Sequence, residues 1–338
     1  MPQFDRVARI PLAHLPTPLE AAPRLSEALG GPGIWIKRDD CTGLATGGNK
    51  TRKLEYLLAE ARQRNADTVI TFGALQSNHA RQTAAACARL GLRCELILTR
   101  RVRYAAPEYE HAGNLLLDRL CGARLHIVEP DEVTSTLARV RAAAEGAGRH
   151  CYIIPAGGSN ATGALGYVRC AAEIIEQASV LGFTPAAIVH ATSSGGTQAG
   201  LIAGITRLHL SVPVIGVNTY EPDHHAQNIH VREIANAVLE RLGGPNIPAE
   251  KVIIEHGYLG DDYGIPTSAM TEAVALAGRT EGLLLDPVYS GKGMAGLIGM
   301  VRSGRFRADQ QVVFVHTGGT PTLDVYRQEF DGVTNPFG

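Results

Sequence analysis

The chain has 338 residues, more than one ordinary hydrophobic core holds, so its length predicts two domains. Hydrophobic residues make up 45% and charged residues 19% of the sequence, a composition that excludes a disordered chain. The formal net charge of -1 gives no overall field for nucleic acid or an anionic membrane, and we expect neither as a partner.

The cysteines and the N-terminus predict where the protein acts. Six cysteines occur without a C-x-x-C pair or zinc-ligand spacing, so we expect reduced thiols, with Cys87 and Cys94 in the core, and no metal site. The first residues lack the apolar run of a signal peptide, and no apolar stretch is long enough to cross a bilayer. The sequence therefore predicts a cytoplasmic protein.

The first half of the chain predicts alternating strands and helices. Prolines indicate an extended N-terminal arm with a short helix. Apolar strands that alternate with helices of this length predict a parallel sheet covered on both faces. The predicted strands are 34–38, 68–72, 94–98, 125–128 and 151–154. The predicted helices are 24–29, one that begins at Lys50, 80–90, 108–120 and 131–146.

The second half repeats the alternation after the stretch 157–160, where we place a domain crossing. Open α/β sheets bind ligands beyond the carboxyl ends of their strands, so the loops after strands are the first candidates for a site. The predicted strands are 187–191, 214–218, a short one at 283–285, and 311–315. The predicted helices are 163–180, 198–208, 224–242, 268–280 and one after Gly291.

The stretch Gly47-Gly48-Asn49-Lys50-Thr51-Arg52-Lys53-Leu54-Glu55 places Lys50 at the start of an amphipathic helix. Anionic groups are attracted to that end of a helix, and the cationic neighbours Arg52 and Lys53 lower the pKa of an amine. Because only a neutral amine attacks a carbonyl, the pattern is typical of a Schiff-base lysine. The alternative is a surface lysine in a first helical turn.

Two loops after predicted strands offer donors to an anion. The loop 76–79 is an ordinary helix cap that also presents the hydroxyl of Ser77 and free backbone N–H groups. The loop 193–197 combines glycines, hydroxyls and N–H groups at a helix start. It lacks the Walker and dinucleotide spacings, so it fits a monophosphate, with a glycine-rich turn as the alternative.

Two further loops complete the pattern. The loop 286–292 supplies Tyr289, which either packs at the edge of the core or lies over a ring. The loop 316–320 presents a hydroxyl at the end of the last strand. A lysine, a phosphate loop and hydroxyl-bearing loops together indicate pyridoxal phosphate as the cofactor.

These motifs resemble the D-cysteine desulfhydrase and 1-aminocyclopropane-1-carboxylate deaminase family, a branch of the tryptophan-synthase-β-like (fold type II) pyridoxal phosphate enzymes. The resemblance rests on the lysine stretch, Gln76-Ser77-Asn78, the loop 194–198 and Asp286-Pro287-Val288-Tyr289, and it runs nearly end to end.

The resemblance implies an α/β fold with two open, twisted parallel-sheet domains. Residues 1–50 and 161–338 would form the larger, cofactor-binding domain, and residues 51–160 the smaller one. The active site would lie in the cleft between them. A homodimer that acts on a small amino acid is also implied.

Matching positions imply a role for each site residue. Asn78 bonds the phenolic oxygen of the cofactor, and a hydroxyl from Ser290 or Thr317 favours a neutral pyridine ring. Lys50 forms the Schiff base and is a candidate base for the substrate's α-proton, with Ser77 or Tyr289 acting instead on a D-substrate. The implied phosphate ligands are Lys53, Ser193, Ser194, Gly195, Gly196 and Thr197. The implied substrate-binding residues are Thr46, Gln76, Ser77, His79, Tyr263 and Tyr289.

Departures from the family pattern bear on the substrate. The deaminases carry glutamate where this chain has Ser290, which argues against cyclopropane opening. Desulfhydrases and deaminases usually carry phenylalanine at the position of Thr46, and its loss makes the pocket roomier and more polar, which would suit a larger, anionic leaving group. The resemblance implies α,β-elimination of D-cysteine to pyruvate, ammonia and sulfide. An L-cysteate sulfo-lyase that releases sulfite is the alternative, followed by the deaminase, and a nucleotide-dependent enzyme and a silent binding protein stay open.

Overall fold

The computed structural model describes residues 7–333, whose strands and helices alternate along most of the chain. The strands are β1 (Leu19–Ala21), β2 (Gly33–Lys37), β3 (Thr68–Ala74), β4 (Arg93–Thr99), β5 (Arg124–Val128), β6 (Cys151–Ile153), β7 (Ala187–Thr192), β8 (Val214–Asn218), β9 (Ile253–Glu255) and β10 (Gln311–Val315). The α-helices are α1 (Pro23–Leu29), α2 (Lys50–Gln63), α3 (Asn78–Leu90), α4 (Gly113–Leu120), α5 (Val133–Gly146), α6 (Ala161–Val180), α7 (Gly196–Arg207), α8 (His224–Arg241), α9 (Ser268–Glu281) and α10 (Ser290–Arg302).

These strands form two sheets. The larger has six strands in the order β1-β2-β10-β7-β8-β9, and all its pairings are parallel except that of β1 with β2. The smaller has four parallel strands in the order β5-β4-β3-β6. The predicted α/β class with two parallel sheets is therefore confirmed, while the domain boundaries near residues 50 and 160 stay a prediction.

Some predicted elements differ from the structure. The strand predicted at 283–285 is wrong, because no strand of either sheet pairs with it. Leu283 and Leu285 are buried while Leu284 is 55% exposed, so the alternation there reports one-sided burial of an extended segment. The helix predicted from residue 108 is a 3-10 turn (Pro107–Glu110) followed by α4. The short strands β1 and β9 were missed.

Residues 7–333 contain neither a membrane-spanning helix nor a metal-binding cluster. No helix there combines the length and the apolar character needed to cross a bilayer. No group of three or more histidine, cysteine, aspartate or glutamate side chains is arranged to hold a metal ion. All six cysteines are free thiols, and Cys87, Cys94 and Cys170 are buried.

A buried ionic network joins α2 to the larger sheet. Arg52 donates to both carboxylate oxygens of Asp39 at 2.8 and 2.9 Å and to Glu173 at 2.9 and 2.8 Å. The Tyr167 hydroxyl donates to Asp39 at 2.6 Å. Burial opposes ionisation of Asp39, yet the charge and hydrogen bonds of Arg52 outweigh it and lower the pKa of Asp39. The first turn of α2 is therefore tied to the end of β2 and to α6.

We expect Arg52→Met to lower the free energy of unfolding by about 3–5 kcal/mol, because it strands buried carboxylates without their partner. Arg141→Met is the control, since Arg141 pairs with Glu145 on the exposed face of α5. Urea unfolding measures both. A loss at Arg52 no larger than that of the control would contradict the prediction.

Candidate active site

A cavity of about 450 Å³ opens at the carboxyl ends of strands from both sheets. Ligands of open α/β sheets bind in such a position. Most of the predicted site residues line it together, although the sequence separates them widely. Those residues are Lys50, Ser77, Asn78, His79, Ser193, Ser194, Gly195, Thr197, Tyr263, Tyr289 and Thr317.

Two glycines form the turn that leads into Lys50. Gly47 has φ of 77°, and a Cβ there would lie 1.8 Å from the carbonyl oxygen of Asp40. Gly48 has φ of 132°, and its Cβ would lie 2.5 Å from Nε2 of Gln82. No larger residue fits either position, so the glycines are required to bring the start of α2 against α3.

The Lys50 amine is held in the cavity in a form that favours nucleophilic attack. Its Nζ donates to the carbonyl oxygen of Gly157 at 3.3 Å. Burial lowers the pKa of Lys50 to about 8 and so raises its neutral fraction. The predicted lowering of the Lys50 pKa is confirmed, but the predicted cause, the positive charges of Arg52 and Lys53, is wrong. The charge of Arg52 is paired with carboxylates, and the hydrogen bond with Lys53 raises the pKa of Lys50.

A cluster of donors lies beside Lys50, and Lys53 is at its centre although it does not line the cavity. Lys53 Nζ donates to Gly157 O at 3.2 Å and to Ser159 Oγ at 3.0 Å. The Ser159 and Ser194 hydroxyls are 2.8 Å apart, and the Gly196 N–H donates to Ser159 at 3.3 Å. A Cβ on Gly196 would lie 2.6 Å from Ser159 Oγ, so glycine keeps this cradle open. Such a set of donors at the start of α7 fits a phosphate.

The Asn78 side chain is oriented by residues that sequence reasoning missed. Its Oδ1 accepts from Asn114 Nδ2 at 3.0 Å and from Arg81 Nη1 at 3.4 Å. This network leaves the amide nitrogen of Asn78 to donate into the cavity. Gln76 in turn positions Asn114, because its Oε1 accepts from the backbone N–H of Asn114 at 2.9 Å. Gln76 itself does not line the cavity. The structure therefore gives Gln76 a positioning contact and not the predicted substrate contact.

Ser77 and His79 flank Asn78. Ser77 is the N-cap of α3 and accepts from the Ala80 N–H at 3.2 Å, so it has the ordinary role while it also lines the cavity. The Thr71 hydroxyl donates to the Ile154 carbonyl, and His79 Nε2 therefore donates to Thr71 at 2.8 Å. Burial lowers the pKa of His79 well below its usual value, which leaves a neutral ring.

The carboxylate of Asp286 shapes the turn that carries Tyr289. It accepts the backbone N–H groups of Tyr289 and Ser290 at 2.9 and 2.7 Å. The Ser290 hydroxyl also donates to Asp286, at 2.6 Å, and Ser290 is fully buried outside the cavity lining. Of the two hydroxyls predicted to face the pyridine ring, that of Thr317 lines the cavity and that of Ser290 does not.

Tyr263 and Tyr289 share a hydrogen bond between their hydroxyls. Burial raises the pKa of Tyr263 to about 12 and raises the pKa of Tyr289 well above its usual value. Both side chains are therefore protonated phenols, and burial makes them weaker acids than an exposed tyrosine.

Thr46 lies apart from these residues. Its backbone has φ of 68°, and its side chain is exposed and outside the cavity lining. The structure therefore does not bring Thr46 to the position where the sequence predicted a substrate contact.

The cavity is also lined by residues that sequence reasoning did not single out, among them Arg101, Ser159 and Tyr220. Arg101 and Tyr220 each lie two residues beyond a strand, β4 and β8. The rule that favours loops after strands would have found both if it had been applied to every strand.

Comparison with known proteins places this site in a family. A family model described as pyridoxal-phosphate dependent enzyme matches residues 10–318. The chain belongs to this family. Its cofactor is pyridoxal phosphate, as predicted. The residues of the cavity fit this cofactor, because Lys50, whose pKa is lowered, lies beside a cluster of hydrogen-bond donors suited to a phosphate.

Individual members of the pyridoxal-phosphate dependent family match over nearly the whole chain. D-cysteine desulfhydrase from Salmonella choleraesuis (strain SC-B67) is 44% identical, over 96% of this chain and 97% of the relative. That of Salmonella typhi is 43% identical over the same shares. A crystal structure of an ACC deaminase homologue superposes with a TM-score of 0.87 at 33% identity and covers 97% of each chain.

We expect Lys50 of the cofactor-free protein to react with an acetylating reagent along a curve with a midpoint near pH 8. The pKa is lowered, so the reactive neutral amine forms at a lower pH than in free lysine, whose pKa is about 10.4. Mass spectrometry of the Lys50 peptide at each pH measures the rate, with an acetyl-lysine amide as the control. A midpoint equal to that of the control would refute the effect of burial.

We expect Asn114→Ala to weaken binding of pyridoxal phosphate about tenfold, because Asn78 loses the partner that orients its amide. Asn228→Ala is the matched control, since Asn228 donates to the Val252 carbonyl at 2.9 Å and does not line the cavity. Absorbance titration of the cofactor-free proteins gives both affinities. Equal affinity in the two variants would exclude this positioning role.

Proposed function

We propose that the protein is a carbon–sulfur lyase that converts D-cysteine to pyruvate, ammonia and sulfide. The observation that carries the proposal is Lys50, whose amine ends in the cavity beside a phosphate-type cradle. It gains weight from the 44% identity with a D-cysteine desulfhydrase over 96% of the chain.

Each side chain of the cavity has a role in this proposal. Pyridoxal phosphate, when bound, supplies an acceptor for the electrons left at the substrate's α-carbon. Lys50 would hold the cofactor and would be a candidate base for the α-proton of the substrate. Asn78 would donate to the phenolic oxygen of the cofactor, and Thr317 would offer its hydroxyl to the pyridine ring. Ser77 and the N–H groups at the start of α3 bind the substrate carboxylate.

The remaining cofactor contacts hold the phosphate, and His79 borders the substrate as a neutral ring. The proposed phosphate ligands are Lys53, Ser159, Ser193, Ser194, Gly195, Gly196 and Thr197. Lys53 has a pKa well below its usual value because of burial and the charge of Lys50. A bound phosphate dianion supplies the negative charge that restores its protonation.

Tyr289 is the proposed proton donor to the leaving sulfur. As the C–S bond breaks, the sulfur takes the electron pair and needs a proton. Tyr289 is held as a protonated phenol, and its hydroxyl bonds that of Tyr263, which can replace the proton. For a D-substrate, Ser77 is the other candidate for moving the α-proton. The aminoacrylate that is released then hydrolyses to pyruvate and ammonia.

L-cysteate, with sulfite as the leaving group, is the second candidate substrate. Among residues 7–333, no aspartate or glutamate lines the cavity, so none of these side chains repels a sulfonate there. Thr46, the residue that first pointed to this substrate, lies outside the lining. Opening of 1-aminocyclopropane-1-carboxylate ranks third, because Ser290 is committed to Asp286 and no carboxylate replaces it at the cavity.

We also propose a cytoplasmic location and a homodimer. The six free thiols support a reducing compartment, and the dimer rests on resemblance to the family. Light scattering of the purified protein gives the mass directly, and a mass equal to 35.9 kDa would exclude the dimer.

We expect Lys50→Ala to abolish both pyruvate formation and the yellow absorbance of bound cofactor, because no amine is left to bind it covalently. Lys251→Ala is the control, since Lys251 is exposed on a short turn before β9, and it keeps both signals. Steady-state activity of Lys50→Ala close to wild type would overturn the assignment.

The substrate is decided by incubating the enzyme with D-cysteine and L-cysteate in separate tubes. Pyruvate with sulfide from D-cysteine supports the first candidate, and pyruvate with sulfite from L-cysteate supports the second. Pyruvate from neither would refute the lyase and leave the family and cofactor unaffected.

A further inference from the structure

Arg101 is held at the cavity wall by aromatic rings. Its guanidinium carbon lies 4.4 Å from the ring centroid of Tyr220 and 5.6 Å from that of Tyr263. Its Nη1 donates to the Tyr220 hydroxyl. The next residue, Val102, packs closely on Gly264: a Cβ added to Gly264 would lie 2.8 Å from the Val102 side chain. Packing of the backbone and stacking of the side chain therefore both orient this cation.

No carboxylate neutralises Arg101. Among residues 7–333, no aspartate or glutamate forms an ion pair with it, whereas Arg100 pairs with Glu110 and Glu129. A guanidinium has five N–H donors, and the protein uses one of them through Tyr220. A partly desolvated guanidinium with free donors is suited to an oxyanion, since the described residues that line the cavity include no aspartate or glutamate.

The neighbours of Arg101 are different from those of the phosphate cradle. The cradle is built around Ser159 and Ser194, whose hydrogen bonds within residues 7–333 do not involve Arg101. Arg101 instead touches Tyr263, whose hydroxyl bonds Tyr289, the proposed proton donor to the leaving group. The anion that Arg101 suits is therefore a second one, on the substrate side of the cavity.

Arg101 also lies close to the loop that contains Ser77. Strands β3 and β4 pair in parallel, with Ala74 opposite Thr99, so the segments that follow them begin side by side. Arg101 is two residues beyond Thr99, and Ser77 is three beyond Ala74. Arg101 and Ser77 therefore border the same part of the cavity, where a substrate held by its carboxylate at Ser77 would lie.

We propose that Arg101, held by Tyr220, forms a subsite for an anionic group on the β-carbon of the substrate. The further substrate class that this subsite would admit, beside D-cysteine, is an amino acid with a sulfonate at that position, which leaves as sulfite. The inference rests on the proposed lyase, and it identifies this residue as the one that separates doubly anionic substrates from cysteine-type substrates.

Two ligands of nearly equal shape test the subsite. They are 3-sulfopropanoate and 3-(methylsulfonyl)propanoate, which share a carboxylate and differ in one charge at the far end. Neither has an amine, so neither can react with the cofactor. Calorimetry on the holoenzyme is expected to show about 10- to 100-fold tighter binding of the sulfonate, the range of a charge-assisted hydrogen bond.

Variants then assign the preference to Arg101. Arg101→Met is expected to bring the ratio of the two affinities close to one, and Arg101→Lys is expected to restore part of it. Arg103→Met is the matched control, because Arg103 lies on the same loop, is exposed and does not line the cavity, and it keeps the wild-type ratio. If Arg101→Met does not retain cofactor, Arg101→Gln replaces it.

Each outcome decides the proposal. A wild-type ratio near one, or an unchanged ratio in the Arg101 variants, would overturn the subsite. An equal loss of affinity for both ligands in the Arg101 variants would show that Arg101 binds the carboxylate they share, and it would also overturn the subsite. Pyruvate from D-cysteine with no sulfonate preference refutes the subsite alone. A preference that depends on Arg101, without pyruvate from any substrate, refutes the lyase and retains the subsite.

Discussion

The position of Lys50 depends on the buried ion pairs that the guanidinium of Arg52 makes. Arg52 lies two residues beyond Lys50 on α2 and binds Asp39 after β2 and Glu173 on α6. The first turn of α2 is therefore fixed to the larger sheet, while the rest of the helix packs on α3 and α6. In a medium of low dielectric constant this network is stable only when complete, because a single missing partner leaves a buried charge. The same network neutralises Arg52, which leaves burial to set the pKa of Lys50.

The cavity has an excess of cations, and this determines which molecules it can hold. Lys50 and Lys53 share the carbonyl of Gly157, and Arg101 lies near Tyr263. In the part of the chain that the structure describes, no acidic side chain lines the cavity. Burial and the nearby charge of Lys50 lower the pKa of Lys53, and an added anion would offset both. The proposed phosphate and substrate carboxylate would supply such anions. Asp286 is close to the site, but its charge is used on backbone N–H groups that form the turn before α10.

Polar residues beside the cavity divide into those that face it and those that hold others in place. Ser77 does both, because one hydroxyl can accept from a backbone N–H and still donate to a ligand. Gln76 and Ser290 are adjacent in sequence to cavity residues, yet their hydrogen-bonding groups are used within the protein. A place in the same sequence motif therefore does not by itself show that a residue binds a ligand. The residue must also keep a hydrogen-bond donor or acceptor that the protein does not use.

The sequence by itself determined the alternation of strands and helices, the position of Lys50 at a helix start and the glycine- and hydroxyl-rich turn before α7, because each of these depends on neighbours within a few residues. The tertiary structure decided what depends on distant partners. The segment 283–285 alternates like a strand but has no strand beside it. Asn114 orients Asn78 from 36 residues away, and Arg101 meets Tyr220 across 119 residues. Such contacts follow from the order of strands in the sheets, which no local pattern of hydrophobic and polar residues specifies.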